Sequence, residues 1–293
     1  MKILITGGTG FIGRNLKEQL TGEYQIEAPG SKELDLLDAN KVRAYLKQNR
    51  FDVVIHAAVW NATRNSTKDT SLVLNSNRGM FLNLSRCSDS YGKLFTFGSG
   101  AEFDREHWIP RMNEAYFGKH IPGDSYGLSK YLINNELEQS KNIYNLRLFG
   151  VFGKYEDWEI RFISNACCKA LFDLPITIKQ NVFFDYLFID DLVKIVDWFM
   201  QNQTKEKVYN ICTGRTHDLL TLARKILRVS GKNLDIKVAE PGLKAEYSGD
   251  NSRLINEIGH FQFKDMDTCL GDLYNWYRVN QGKIDRSLLL YDK

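Results

Sequence analysis

The stretch Lys2-Ile3-Leu4-Ile5-Thr6-Gly7-Gly8-Thr9-Gly10-Phe11-Ile12-Gly13 decides how the rest of the chain reads. Lys2 to Thr6 has the unbroken apolar character of a strand buried on both faces. From Phe11 onward Phe11, Ile12, Leu16 and Leu20 recur at helical spacing, so the glycines stand in a strand-to-helix turn. Glycines there permit a tight turn, let backbone N–H groups approach a pyrophosphate and let the helix pack closely on the sheet. The helix N-terminus adds partial positive charge. The turn therefore predicts dinucleotide binding by Gly7, Thr9, Gly10, Phe11, Ile12 and Gly13.

Outward from the turn, strands and helices alternate. Strands are expected at Tyr24 to Ala28, Val53 to Ala57, Leu94 to Phe97 and Tyr144 to Phe149; helices at Ala39 to Gln48, Leu72 to Tyr91 and Ser125 to Gln139. Such alternation implies parallel βαβ units closing right-handedly into a doubly wound α/β sheet. After Gly153 it weakens. Arg161 to Phe172, Asp190 to Gln201, Leu219 to Ser230 and Asp265 to Val279 read as helices, Ile176 to Ile178 as extended, and Lys207 to Ile211 as a buried strand returning to the first sheet. The expected organisation is a Rossmann domain over 1–153 and 186–213 and a smaller, discontinuous α/β lobe over 154–185 and 214–293, without repeats or a linker.

The composition narrows the partners. A 293-residue chain with 43% hydrophobic and 26% charged residues buries a full core, and a formal charge of +3 without a basic tract argues against nucleic acid or anionic membrane. Five cysteines without a CxxC pair fit neither a disulfide framework nor a zinc site, and His56, His107, His120, His217 and His260 show no metal-ligand spacing. Met1-Lys2 runs straight into a strand, so no signal peptide is read and a cytoplasmic location is expected. No apolar run approaches the roughly 20 residues of a membrane span.

Two further places carry chemistry. A carboxylate at the end of the second strand would accept hydrogen bonds from a free ribose 2′-hydroxyl and repel a 2′-phosphate. Pro29-Gly30-Ser31-Lys32 stands there instead, so Ser31 and Lys32 point to NADP over NAD, with Glu27 and Glu33 as carboxylates that would restore NAD. Downstream, Tyr126 and Lys130 lie one helical turn apart on the same face. A phenol titrates near pH 10 in isolation, and an ammonium one turn away in the field of a helix N-terminus favours its ionised form, as acid/base work at neutral pH requires. Ser99 follows the fourth strand at its carboxyl end, where open α/β sheets place ligands.

Taken together these residues resemble the extended short-chain dehydrogenase/reductases of the NAD-dependent epimerase/dehydratase family, which modify nucleotide sugars. The resemblance spans nearly the whole chain. It rests on the glycine turn, Glu33-Leu34-Asp35-Leu36-Leu37-Asp38, His56-Ala57-Ala58, Asn77 to Asn83, Gly98-Ser99, Tyr126-Gly127-Leu128-Ser129-Lys130, Arg147 to Gly153, Phe188-Ile189-Asp190-Asp191-Leu192 and Val208-Tyr209-Asn210-Ile211. It is nearest to the GDP-fucose synthase and dTDP-sugar ketoreductase branches. The resemblance implies catalysis by Ser99, Tyr126 and Lys130, with Lys130 also on the nicotinamide ribose. It places Asp35 and Leu36 at the adenine, Ala57, Ala58, Val59 and Asn77 along the cofactor, and Leu148 and Val151 beside the nicotinamide. It also implies a homodimer formed by the helices near Leu72 to Tyr91 and Ser125 to Gln139.

Within that family the pattern selects a reaction. The Asp-Glu pair that 4,6-dehydratases carry after the catalytic hydroxyl is Gly100-Ala101 here, and Glu102, one residue late on an extended strand end, is expected to face away. The cysteine and histidine of double epimerisation are replaced by Ala101 and, approximately, Phe162. The remaining reading is reduction of a keto-sugar, with 4-epimerisation through a transient ketone as alternative and a non-catalytic NADP sensor as the alternative of another class. Trp60, Asn61, Arg64, Gly100 and Trp158 are read as lining the sugar pocket. Two positions that in the family hold the nucleotide diphosphate have become Gly150 and Phe184, for which Arg161, Arg215 and Arg253 are candidate replacements.

Overall fold

The computed structural model describes residues 1–61, 63–137 and 140–291. Its centre is a six-stranded sheet of β1 (Lys2–Thr6), β2 (Gln25–Glu27), β3 (Phe51–His56), β4 (Tyr91–Ser99), β5 (Ile143–Leu148) and β9 (Val208–Ile211), in the order β2-β1-β3-β4-β5-β9, all pairs parallel. Helices α1 (Phe11–Leu20), α2 (Ala39–Asn49), α3 (Val73–Ser85), α4 (Ser125–Glu136) and α6 (Ile189–Gln201) cover the sheet. Alternate residues of each strand enter opposite cores. Ile3, Ile5, Val53, Ile55, Phe95, Phe97 and Leu146 join one apolar cluster, while Leu4, Val54, Leu94 and Ile143 join the other. That is the doubly wound α/β arrangement the sequence pattern predicts.

The chain turns from β1 to β2 on one side and to β3 on the other, so a crevice opens at the carboxyl ends of β1 and β3, where such sheets bind ligands. Register aligns the chemistry along this edge: Thr6 pairs with His56, His56 with Thr96, and Ser99 with Leu148.

The remaining chain forms a second layer of structure: α5 (Phe162–Leu171), β7 (Ile176–Asn181), β8 (Phe183–Phe188), β10 (Thr216–Asp218), α7 (Leu219–Ser230), β11 (Ile236–Leu243), α8 (Ser252–Ile258) and α9 (Met266–Val279). With β6 (Gly150–Phe152) these make a three-stranded sheet ordered β10-β8-β6 and a β11-β7 pair. Their buried faces share one apolar cluster with the first sheet, running from Ile3 and Leu16 through Phe152 and Ala166 to Leu270 and Tyr277.

Several boundaries differ from the sequence reading. Helix α3 stops at Ser85 because Tyr91 is drawn into the sheet opposite Phe51, which also lengthens β4 to nine residues. Helix α4 closes at Glu136, and Glu138 and Gln139, to which it was expected to run, lie outside the described residues. The strands β6, β8 and β10 were not anticipated, since their partners lie far away in sequence. Among the described residues no helix is long and apolar enough to cross a membrane.

Candidate active site

The glycine turn is shaped by what it touches. Gly7 has φ +71°, and a Cβ on it would stand 2.6 Å from the Ala58 nitrogen; one on Gly13 would stand 2.3 Å from the Gly7 carbonyl oxygen. Only glycine allows β1, β3 and α1 to meet this closely. Helix α1 starts at Gly10 without a side-chain cap and without an acidic residue in its first turn. Its first N–H groups are thereby left for an anion, which the helix field favours. Beneath the turn, Thr6 Oγ1 and His56 Nδ1 are 2.9 Å apart, and burial together with the Lys130 charge pushes His56 down to about 3. Asn77 is buried, accepts from the Trp60 N–H at 2.7 Å and leaves its own Nδ2 without a partner among the described residues. The cradle fits a dinucleotide.

At the far end of the crevice the two carboxylates that would favour NAD are engaged. Glu27 pairs with Lys2 at 3.0 Å and accepts from the Tyr45 hydroxyl at 2.7 Å; burial works against its charge, but these partners hold it below the usual range. Glu33 accepts from the Gly30 N–H at 2.9 Å. Ser31 and Lys32 are exposed in this turn. Asp35 is exposed and accepts from Leu37 N–H, whereas the Leu36 side chain is buried in the core and its carbonyl is taken by Asn83. Ala57, Ala58 and Val59 follow β3 along the crevice, and Leu148 and Val151 lie at the ends of β5 and in β6.

Two segments far apart in sequence, the end of β4 and the start of α4, carry Ser99 and the Tyr126–Lys130 pair. Asp124 caps α4 by accepting from the Gly127 N–H at 2.9 Å, and a Cβ on Gly127 would stand 2.7 Å from the Ala101 carbonyl oxygen. Tyr126 is thus carried against the turn that follows Ser99. One helical turn on, Lys130 is buried, donates to the Phe97 carbonyl at 2.7 Å and lies 5.9 Å from the Tyr126 ring centroid. Ser99 caps a short turn, Gly100–Phe103, its Oγ accepting from Ala101 N–H at 3.2 Å.

Glu102 behaves differently from the sequence expectation. Strand β4 ends at Ser99 and the chain coils, so Glu102 folds back beneath Ser99, accepts its N–H at 3.0 Å and pairs with Arg147 Nε at 2.8 Å, both side chains fully buried. Arg147 also donates to Asn210 Oδ1 at 3.0 Å and stacks 4.4 Å above Phe103, while Asn145 joins Glu102 to Asn134. Removing one member of such a pair strands a buried charge, a loss of about 3–5 kcal/mol. The Ser-x-x-Glu spacing from Ser99 to Glu102 is a capping-box pattern that could have placed Glu102 back against Ser99, but the extended reading of this stretch passed over it.

The side of the centre facing the second layer is aromatic. Tyr247 packs on Trp108 (4.2 Å between ring centroids), Phe149 (5.3 Å) and Phe184 (5.7 Å), and the Trp108 indole donates to the Gly100 carbonyl at 3.2 Å. Gly100, read from sequence as a sugar contact, is buried beneath Tyr247 and Phe149. Trp60 donates through its indole to the Asp69 carbonyl, and Asn61 and Arg64 are exposed. Trp158 is half-buried against the main core. The arginines do not converge. Arg161 is exposed at the start of α5; Arg215 borders a separate cleft with Gln19, Lys194, His217 and Lys225; Arg253 donates to the Val208 carbonyl at 3.0 Å. Tyr247 and Arg105, which pairs with Asp124 at 3.2 Å, stand near the centre without having been singled out from sequence. Among the described residues no group of His, Cys, Asp and Glu is arranged to hold a metal.

A family model for NAD dependent epimerase/dehydratase proteins matches residues 3–212. The chain is 24% identical over 290 residues to a GDP-6-deoxy-D-talose 4-dehydrogenase of Aggregatibacter actinomycetemcomitans, covering 94% of this chain and 97% of that one. It is 25% identical over 257 residues to a GDP-L-colitose synthase of Yersinia pseudotuberculosis, covering 79% and 82%. Its fold is similar to that of a UDP-glucose 4-epimerase with UDP-glucose from Thermotoga maritima, with a TM-score of 0.83 at 20% identity over 96% of this chain and 100% of that one. A GDP-L-fucose synthetase of Naegleria fowleri bound to NADP is similar in fold at a TM-score of 0.82 and 17% identity, covering 96% and 93%.

Proposed function

The chain belongs to the NAD dependent epimerase/dehydratase family, and from that premise we propose that it is an NADP-linked reductase of a keto-sugar carried on a nucleotide. The observation that carries the reading is the approach of α4 to the Gly100–Phe103 turn through Gly127, which delivers Tyr126 beside Ser99 with Lys130 behind it. The relatives named for work on GDP-sugars support the substrate class. The engagement of Glu27 and Glu33, next to an exposed Lys32, supports NADP.

In this reading Gly7, Thr9, Gly10 and Gly13 hold the cofactor's pyrophosphate, Ser31 and Lys32 its 2′-phosphate, and Lys130 its nicotinamide ribose. The bound nicotinamide supplies the hydride chemistry. Tyr126 passes the proton to the sugar oxygen, and Ser99 hydrogen-bonds that oxygen as charge develops on it. Residues 154–185 and 214–293 form the substrate lobe, and α3 and α4 the face of a homodimer. Dehydration is disfavoured because Gly100 and Ala101 bring no acid or base and Glu102 is committed to Arg147. The second reading, 4-epimerisation through a transient ketone, draws support from the likeness to UDP-glucose 4-epimerases.

The test offers 4-keto sugars linked to GDP, UDP and dTDP together with NADPH, and their 4-hydroxy counterparts without it. Reduction is expected to consume one NADPH per sugar, and Tyr126→Phe is expected to slow it about a hundredfold or more with NADP affinity nearly unchanged. Undiminished turnover in Tyr126→Phe defeats the mechanism. Interconversion of 4-epimers with no net NADPH consumption selects the second reading.

A further inference from the structure

One charged pair lies wholly inside the protein against the reacting centre, and the mechanism above gives it no task. Glu102 and Arg147 are both fully buried. A buried ion pair gains little over well-packed apolar side chains, because taking two charges out of water offsets most of their attraction. The bonds around Glu102, however, lead to both halves of the centre. Its Oε1 accepts the Ser99 N–H at 3.0 Å while the Ser99 Oγ accepts the Ala101 N–H at 3.2 Å, so the serine is held on two sides. The same carboxylate accepts from Asn145 Nδ2 at 3.3 Å, and that nitrogen also donates to Asn134 Oδ1 at 2.6 Å. Tyr126, Lys130 and Asn134 follow one another at four-residue spacing along one face of α4.

On the far side, Arg147 donates to Asn210 Oδ1 at 3.0 Å. Asn210 Nδ2 in turn donates to the carbonyls of Met112 at 2.9 Å and Asp250 at 3.2 Å, which anchors the network to the strap that runs from Tyr247 to Asp250. Gly98 makes the room for the carboxylate, since a Cβ there would collide with Glu102 Oε1 and Asn145 Oδ1. We infer that Glu102 is a positioning residue: held by Arg147 and Asn145, it fixes the Ser99 peptide relative to the Tyr126 face of α4, so that the serine hydroxyl and the phenol meet one sugar oxygen together. This rests on the reductase reading of the site. Donors set in advance need no reorganisation as charge develops, and displacing one of them is felt in the rate.

The experiment compares two double variants that both lack the ion pair, Glu102→Gln with Arg147→Met and Glu102→Leu with Arg147→Met. They are assayed as NADPH-dependent keto-sugar reduction, with thermal unfolding measured alongside to show that both are folded. Only the first keeps an oxygen for the Ser99 N–H, and with Arg147 gone that oxygen has no cation to serve. It is expected to turn over about tenfold faster than the second, with KM and NADP affinity within about twofold between the two. Equal kcat, or a difference confined to KM or to NADP affinity, overturns the inference. If the wild-type chain reduces no keto-sugar, the reductase reading falls by itself. In that case, or if a double variant does not fold, hydrogen exchange at the wild-type Ser99 amide decides whether the serine is held. That amide is expected to exchange as slowly as those of Phe95 and Phe97 within β4, and exchange at the rate of an exposed amide overturns the inference.

Discussion

The cofactor cradle and the aromatic wall across the crevice from it are built in opposite ways. The cradle is one continuous turn, Gly7 to Gly13, whose fit comes from backbone meeting backbone: Gly7 on Ala58, Gly13 on Gly7. The wall draws Trp108, Phe149, Phe184 and Tyr247 from four segments, and its fit comes from side chains stacked on one another. A backbone contact has nothing to rotate away, whereas a ring can shift. The cradle is therefore the more rigid of the two.

The sharpest way to break this contrast is to add the same methyl group on each side. At Gly13 the new Cβ meets the Gly7 carbonyl at 2.3 Å, so Gly13→Ala is expected to weaken NADP about a hundredfold. At Gly100 the new Cβ meets Tyr247 and Phe149 side chains at 2.7 and 2.8 Å, so Gly100→Ala is expected to slow sugar reduction while leaving NADP affinity within about twofold. Calorimetric titration of both variants with NADP checks this, and equal losses of affinity would erase the distinction.

Two buried groups also titrate in opposite senses. His56, beneath the cradle, is pushed down to about 3, chiefly by burial, from an ordinary 6.5. The unfolded chain takes up this proton first, so the stability it contributes is full above 6.5 and is lost as pH falls toward 3. Glu156 is buried in the segment before α5, where Ser164 Oγ donates to it at 2.5 Å; burial, outweighing that bond and Arg161, pushes it up to about 8. Its contribution is full below the ordinary 4.5 and is lost as pH rises through 8. Well above 6.5 and up to 8 the slope from Glu156 outweighs that from His56, at most about 1.4 kcal/mol per pH unit. Urea midpoints across this range are expected to fall with rising pH in the wild type and to stay level in Glu156→Gln; an unchanged slope in the variant would remove Glu156 as the cause.

The smallest expected effect concerns the open end of the cradle. Lys32 is exposed, and an exposed charge contact with a phosphate is worth about 1 kcal/mol, so Lys32→Ala should weaken NADP about fivefold and NAD hardly at all. Equal effects on both dinucleotides would rule Lys32 out as the 2′-phosphate contact.

Much of this was legible in the sequence, for local reasons. The buried strand Lys2 to Thr6, the glycine turn and the Phe11, Ile12, Leu16, Leu20 periodicity are short-range patterns, and the alternation through Leu148 follows from the same two periods. The spacing of Tyr126 and Lys130 placed both on one helix face for the same reason. Glu102 was read on an extended strand end, but the chain coils at Gly100 and buries it against Arg147. The strand pairings of β8 with β6 and β10, and the strap that carries Tyr247, had no local signature, because each depends on a partner many residues away.

By itself the sequence determined the doubly wound sheet and the glycine turn, and brought forward Ser99, Tyr126 and Lys130 as the hydroxyl, phenol and ammonium of the proposed reaction, since periodicity, glycine conformational freedom and side-chain chemistry are properties of neighbouring residues. Only the tertiary structure decided that Glu102 is sealed in an ion pair, that Leu36 belongs to the core, and that Tyr247 packs over Gly100. Those outcomes depend on which distant segments pack together, and packing is settled by the whole core at once.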